Sequence, residues 1–303
     1  MKTLHTRTDC RRSGFTIIEI MVAVVIIAIL AGLLLTALGG VQGTARVAEV
    51  KSDISKLEAG LENFKTRYGV YPPSSISFYE DPTQWDAKSR SILSRLWPRF
   101  NFAIVRELDG QPGSTGVVNL DGAECLVFFL GGVVDLDVTK PIGDPLRGSG
   151  AYTGFSKDPA NPLKRDTSNV TSRDGPFYEF AGGFDPDVAD PVPTANSRLV
   201  DVDGDDYLEL MDTLPSQQLP YVYFVDSGSG FRAADNTGRI GGPYYEDGAK
   251  RKAYKSGRFQ IISPGSDGRY GTGGTYQKDK ASALNADDAD NITNFHGGQL
   301  KDA

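Results

Sequence analysis

From Phe15 to Leu38 the chain is apolar on every face, and the one charged residue inside the run is Glu19. As an α-helix these residues rise roughly 36 Å, against a hydrocarbon core of about 30 Å, so the pattern predicts a transmembrane helix over 15–38. A carboxylate at bilayer depth costs about 2.5 to 3.5 kcal/mol on insertion scales. The apolar side chains of the run each return roughly 0.3 to 0.6, and insertion wins. Gly39, Gly40 and Gly43 then mark a weak point, since glycine costs a helix about 1 kcal/mol against alanine. Past them the period changes. Val47, Val50, Ile54, Leu57, Leu61, Phe64 and Tyr68 alternate spacings of three and four, with Lys51, Asp53, Lys56, Glu58, Glu62 and Lys65 on the other faces. That is an amphipathic helix with one apolar stripe, closed by Gly69 and stopped by Pro72-Pro73. A free coiled-coil strand is the alternative. The stripe is short and a globular body follows at once, so packing against a sheet is the better reading.

The remaining pattern is shorter in period and richer in turns. Trp85 to Trp97 predicts a helix started by Asp86 and ended before Pro98, with Ile92, Leu93, Leu96 and Trp97 facing inward. Asp121-Gly122-Ala123-Glu124 has capping-box spacing ahead of Leu126 to Leu130 and Gly131-Gly132, predicting a second short helix. Residues 110–116 and 158–162 read as loops. Phe177 to Phe180, Tyr221 to Val225 and Arg258 to Ile262 are aromatic and β-branched runs bounded by Gly, Pro and Asp, as in antiparallel strands. The fold class is α+β: a long N-terminal helix, its first half transmembrane, packed by its second half on a small antiparallel sheet with an enlarged, loop-rich head. Segments follow as 1–14 leader, 15–38 span, 39–73 amphipathic continuation and 74–303 head, in which about 74–180 is an insertion and the remainder a sheet with acidic loops.

Charge and chemistry narrow the function. The formal net charge is −7 over 303 residues, and no basic cluster lies outside the leader, so nucleic acid is not an expected partner. Lys2, Arg7, Arg11 and Arg12 precede the apolar run, which keeps the N-terminus cytoplasmic and exports the body. Cys10 falls in the leader and Cys125 in an apolar stretch, leaving no disulfide within the body and making Cys125 a small buried hydrophobe. The only histidines are His5 and His296, and no zinc-protease, nucleophile-elbow or phosphate-loop motif is present, so the chain reads as a structural protein and not an enzyme. One acidic stretch suits a cation. Asp201, Asp203, Asp205, Glu209 and Asp212 fall at positions 1, 3, 5, 9 and 12 of an EF-hand-like calcium loop with Leu208 at the apolar eighth; Asp206 stands where such loops turn on glycine, and Asp212 is shorter than the usual Glu. The alternative is a solvated acidic loop.

Arg11-Arg12-Ser13-Gly14-Phe15-Thr16-Ile17-Ile18-Glu19 carries a family resemblance. A basic leader ending in Gly14, an aromatic next, Glu19 at the fifth position after the glycine and a long apolar run resemble the class III signal of type IV pilins and type II secretion pseudopilins. The resemblance implies cleavage between Gly14 and Phe15 by a prepilin peptidase, N-methylation of Phe15, and pairing of Glu19 with the Phe15 amine of an adjacent subunit. An ordinary signal peptide cut near Ala37-Leu38-Gly39 and an uncleaved anchor are the alternatives. The stretch from Ala45 to Tyr71-Pro72-Pro73 resembles the major pseudopilins in particular. So does the tail, where Ser263-Pro264-Gly265-Ser266-Asp267-Gly268 and the later Asp288-Ala289-Asp290 look like a calcium loop, which implies Asp267, Asp288 and Asp290 as ligands. The implied function is a structural subunit polymerising into the periplasmic pseudopilus of a type II secretion system, with a type IV pilin or a minor tip subunit as the alternative. Implied partners are other copies of the chain, other pseudopilins, the prepilin peptidase, the inner-membrane assembly platform and lipid. The implied location is the bacterial inner membrane, single-pass, with the head in the periplasm.

Overall fold

The computed structural model describes residues 15–104, 116–137, 139–144, 146–165, 173–188, 192–215, 217–249, 252–279 and 284–302, with backbone alone at 34–41. Along the chain these form α1 (Ile17–Tyr68), β1 (Ile76–Tyr79), α2 (Ala87–Leu96), β2 (Val117–Leu120), α3 (Gly122–Gly131), β3 (Val134–Leu136), β4 (Gly148–Tyr152), β5 (Phe155–Ser156), β6 (Arg173–Asp174), β7 (Leu199–Val200), β8 (Glu209–Leu210), β9 (Val222–Val225), β10 (Tyr244–Tyr245), β11 (Phe259–Ser263), β12 (Gly274–Thr275), α4 (Ala286–Ala289) and β13 (Ile292–Thr293). Two compact units divide at Ala45/Arg46. α1 continues as helix through the glycines at 39, 40 and 43, which the sequence marks as a weak point.

In the unit that begins at Arg46 the apolar stripe does what its spacing predicts. Val50, Ile54, Leu57, Leu61 and Phe64 are all fully buried, and the first four share a core with Leu126, Val127 and Leu130 of α3 and with Tyr223, Phe259 and Ile261 of the sheet. Each such side chain contributes about 1.5 to 3 kcal/mol on burial. The sheet has the order β13-β11-β9, antiparallel throughout, with Phe259 opposite Val225 and Ile261 opposite Tyr223. Strand alternation sorts its two faces: Tyr223, Val225, Phe259 and Ile261 join the helix side, while Val222, Phe224 and Ile262 join a separate cluster with Tyr244, Tyr270, Tyr276 and Leu300. Gly60 is the close-approach point of α1, because a Cβ there would stand 3.1 Å from the Phe177 carbonyl oxygen and 3.3 Å from Leu130.

The two short helices form as their caps predict. Asp86 caps α2 by accepting the Ser89 N–H, and Trp97 ends it. Asp121 and Glu124 make the reciprocal capping box of α3. α3 is more than an elaboration of the head: Leu126, Val127 and Leu130 face the first core, while Cys125 and Phe129 face an aromatic cluster with Phe64, Phe78, Trp85 and Trp97. The thiol of Cys125 is buried and its pKa is pushed well up by that burial, so it packs as an inert hydrophobe.

Two expectations are corrected. Phe177 to Phe180 is not a strand. The N–H groups of Phe177 and Tyr178 donate to the Leu130 carbonyl at the end of α3, and Phe177 sits against Phe64 with ring centroids 5.2 Å apart, so side-chain packing replaces ladder bonding. Asp53, placed on the polar face of α1, is 5% exposed: it pairs with Arg198 and accepts from the hydroxyls of Tyr178 and Tyr221. Residues 105–115, most of the loop expected at 110–116, lie outside the described residues, as do the leader and Gly14, Cys10 and His5 within it.

Candidate functional site

α1 opens on a reciprocal cap. The Glu19 carboxylate accepts the Thr16 N–H at 2.8 Å and the Thr16 hydroxyl at 2.7 Å, while Thr16 Oγ1 accepts the Glu19 N–H at 3.3 Å. Thr16-Ile17-Ile18-Glu19 is therefore a capping box, legible in the sequence as Thr-x-x-Glu ahead of an apolar run but overlooked beside the charge argument. Phe15 precedes it, 84% exposed, and from Phe15 to Leu33 thirteen large apolar side chains are each at least 52% exposed. Water-soluble monomers rarely leave so large an apolar patch uncovered. Among the described residues no helix is long and apolar enough to cross a membrane. The described apolar side chains of α1 stop at Leu33, and the expected span reaches Leu38.

The acidic stretch at 201–212 does not form an EF-hand frame. Its loop joins β7 to β8 as an antiparallel hairpin, with no helix on either side. Asp201 closes the turn by accepting the N–H groups of Gly204 at 2.7 Å, Asp206 at 3.1 Å and Asp205 at 3.3 Å, and Asp206 takes φ +68° where a glycine would be at ease. Glu209 is fully buried on Arg239. Asp212 is buried elsewhere, accepting from Ser263 Oγ at 2.5 Å and Gln217 Nε2 at 2.9 Å. Asp201 is turned onto its own loop backbone and Asp212 is drawn away to Ser263, so the five do not converge on one point.

The fold instead brings Asp203 and Asp205 to Glu124 of α3, with carboxylate oxygens within 4.8 Å of one another. Arg239 lies beside them, 2.5 Å from Asp121, 3.7 Å from Glu124 and 3.8 Å from Asp203, and also paired with Glu209. One guanidinium faces several carboxylates here, of which Glu124 and Glu209 are buried while Asp203 and Asp205 are exposed to water. Burial first, then Asp121, Asp205 and Asp203, push Glu124 up to about 9. Burial raises Glu209 to about 7 against the opposing pull of Arg239, and burial with Asp203 and Asp201 raises Asp205 to about 6. Nothing in the local sequence of Glu124 beyond its capping role signalled this company.

In the tail, Asp288 is spoken for on both oxygens. It accepts the Tyr244 hydroxyl at 2.6 Å, the Gly273 N–H at 2.9 Å and the Thr272 N–H at 3.1 Å. Asp290 Oδ2 accepts Ser266 N–H and Oγ–H, both at 2.6 Å, and the Asp267 N–H at 3.0 Å; its Oδ1 is buried without a partner. Asp267 accepts the Arg269 N–H at 2.8 Å, and burial, followed by the charges of Asp290 and Asp287, raises its pKa. Asp290 thus meets Asp267 through a backbone N–H. The three carboxylates are not among the described groups whose oxygens converge within ion-holding distance. As arranged, they staple loop to loop.

Against known proteins, residues 9–35 match the prokaryotic N-terminal methylation motif. The chain is similar to type II secretion system core protein G of Pseudomonas aeruginosa, 42% identical over 62 residues, which is 20% of this chain and 44% of that protein. The same protein of Aeromonas hydrophila gives 42% identity over 62 residues, 20% of this chain and 43% of its own length. The likeness thus spans under half of either relative. No solved structure matches.

Proposed function

From a type IV pilin-like chain that carries the N-terminal methylation motif and has pseudopilins for relatives, we propose a structural subunit that waits in the inner membrane and polymerises into a type II secretion pseudopilus. The observation that carries the reading is the start of α1: an apolar surface exposed all round, with Glu19 as the single charge, set three residues after Thr16 and four after Phe15. Such a surface is stable only against lipid or against other copies of itself. In the unassembled subunit Thr16 satisfies the carboxylate within its own chain. On assembly the carboxylate turns to the methylated Phe15 amine of a neighbour, freed by cleavage after Gly14, and the two buried charges set the register of stacking.

The test is direct. Mass spectrometry of the purified N-terminus should find N-methylated Phe15 as the first residue, and Glu19→Ala should leave cleavage and membrane insertion intact while filaments fail to form. Normal filaments from Glu19→Ala would remove that residue from the site. Loss of protein secretion on deletion supports the pseudopilus, whereas loss of surface fibres with secretion intact would transfer the chain to the type IV pili.

Calcium enters as a proposal for Asp267, Asp288 and Asp290, supported by the buried, partnerless Oδ1 of Asp290. Asp288 does not fit an ion as it stands, since its oxygens would first have to release their N–H and O–H donors. At the 203–205 turn the residues that converge are Glu124, Asp203 and Asp205, with Arg239 already beside them as the counter-charge.

A further inference from the structure

The outward face of α2 is basic. Ser89, Leu93 and Leu96 are buried beneath it, while Ala87, Lys88, Arg90, Ser91, Ser94 and Arg95 are exposed. Helical spacing sets Lys88 and Arg95 two turns apart on one flank, about 10.5 Å along the axis, and Arg90 on the other, with the small side chains of Ala87, Ser91 and Ser94 between them. Arg99, also exposed, follows just past the end of the helix. Serines and apolar residues separate these cations in the sequence, so no basic run shows beyond the leader, and only the folded helix gathers them around one face. Arg90 lies over the Phe102 ring at 4.8 Å and the Lys88 ammonium donates to the Ser75 hydroxyl at 3.3 Å, but among the described residues no carboxylate pairs with Lys88, Arg90, Arg95 or Arg99. The acids closest in sequence are turned onto their own backbone: Asp81 accepts the Thr83 N–H and Asp86 the Ser89 N–H, both at 2.8 Å.

The opposite charge stands at the turn between β7 and β8. Asp201, Asp203, Asp205 and Asp206 fall within 201–206, and the last three are exposed. The turn projects: Gly204 at its tip takes φ +81°, and no atom lies within 4 Å of where a Cβ would stand. Val202 beside it is 38% exposed. Arg239 is the one described cation paired with this turn, at 3.8 Å from Asp203, and it also serves Asp121, Glu124 and Glu209. The negative charge of the turn is therefore undersupplied with partners in its own chain, as the positive charge of α2 is.

Copies with a net charge of −7 repel one another at long range, and a positive face on such a chain selects the orientation in which they can meet. We propose that the basic face of α2 (Lys88, Arg90 and Arg95, with Arg99) docks the acidic β7–β8 turn of a second copy, Asp203 and Asp205 foremost. The small residues between the cations let a projecting turn approach closely, and Val202 adds an apolar contact against them. Every copy carries both halves, so the contact can repeat from subunit to subunit. This rests on the polymer reading above, which supplies the second copy; the residues of the contact all lie in the unit that begins at Arg46.

The experiment is cross-linking of the full chain in the membranes of cells that make it. Two differently tagged variants, Ser91→Cys and Val202→Cys, are expressed together and treated with a short bismaleimide; both positions are exposed. A mixed dimer carrying both tags is expected, with neither variant cross-linking when expressed alone. Lys88→Glu with Arg95→Glu in every copy should reduce the mixed dimer about tenfold, and adding Asp203→Arg with Asp205→Arg should restore it, because each pair is then reversed in sign. Rescue separates a contact from damage to either surface, since a misfolded head would not recover. No mixed dimer, a mixed dimer indifferent to charge reversal, failure of rescue, or duplex DNA retained by the wild type and lost in the Lys88→Glu, Arg95→Glu variant would each overturn the proposal. Filaments that require Glu19 but give no mixed dimer overturn the contact alone, whereas a mixed dimer from a wild type that forms no filaments overturns the polymer reading alone.

Discussion

Replacing Glu124 by Gln separates a capping role from a charge role in one substitution. A Gln at the third helical position keeps the capping box, since its amide oxygen still accepts the Asp121 N–H now held at 2.7 Å by Glu124. What it removes is a carboxyl whose folded pKa stands near 9. The sign follows from linkage. An acid raised in the folded state holds its proton there while the unfolded chain has released it, so stability is full below about pH 4.5 and falls as pH rises towards 9. One such group has a limiting slope of about 1.4 kcal/mol per pH unit, and between pH 5 and 8 the ceiling is about 4 kcal/mol. Arg239 lies among four carboxylates and shares the load, so about 2 kcal/mol is the realistic gain for Glu124→Gln at pH 8, or roughly 4 to 8 °C in Tm. Thermal melts of the wild type and the variant in chelator, at pH 5, 6.5 and 8, measure it. The gap should open with pH. A gap that is constant, or that favours the wild type at pH 8, refutes the buried-proton account, and a wild-type gain confined to added calcium would place an ion among Glu124, Asp203 and Asp205.

Glu19→Gln divides two accounts of the N-terminus. It retains the cap to Thr16 and removes the charge, so filament assembly should fail as in Glu19→Ala, and rescue of assembly by Gln would reduce Glu19 to a helix cap. Asp288→Ala strands the N–H groups of Thr272 and Gly273 and the Tyr244 hydroxyl, and should lower stability by about 2 to 4 kcal/mol in chelator. If wild-type Tm rises in millimolar calcium and that increment vanishes in Asp288→Ala, calcium is bound at the tail; equal melting with and without calcium returns the segment to staples alone. Phe64→Ala, fully buried where α1 meets Phe129 and Phe177, should cost about 3 to 5 kcal/mol by denaturant titration, and a loss below 1 kcal/mol would refute the packing of the stripe described above.

Local chemistry was legible from the chain alone wherever neighbours in sequence decide the outcome. The stripe from Val50 to Phe64 follows from helical period, the caps at Asp86 and Asp121 from side chains that reach their own backbone, and the strands at 222–225 and 259–263 from short apolar runs between turns. Thr16 and Glu19 belonged to the same class and were readable as a box. The acidic clusters were not. EF-hand spacing is a statement about a loop whose backbone wraps an ion, but the β7–β8 hairpin turns the Asp201 carboxylate onto its own backbone, gathers Asp203 and Asp205 beside Glu124 and sends Asp212 to Ser263. Asp53 reads as polar-face residue on α1 until Arg198, 145 positions on, arrives to pair with it. Likewise Glu124 shows only its cap, because Arg239 and the 203–205 turn reach it through tertiary contacts. Hydrophobic period and capping act over a few residues and are written in spacing. The partner of a buried charge is chosen by which distant segments the core brings together, and only the folded chain decides that.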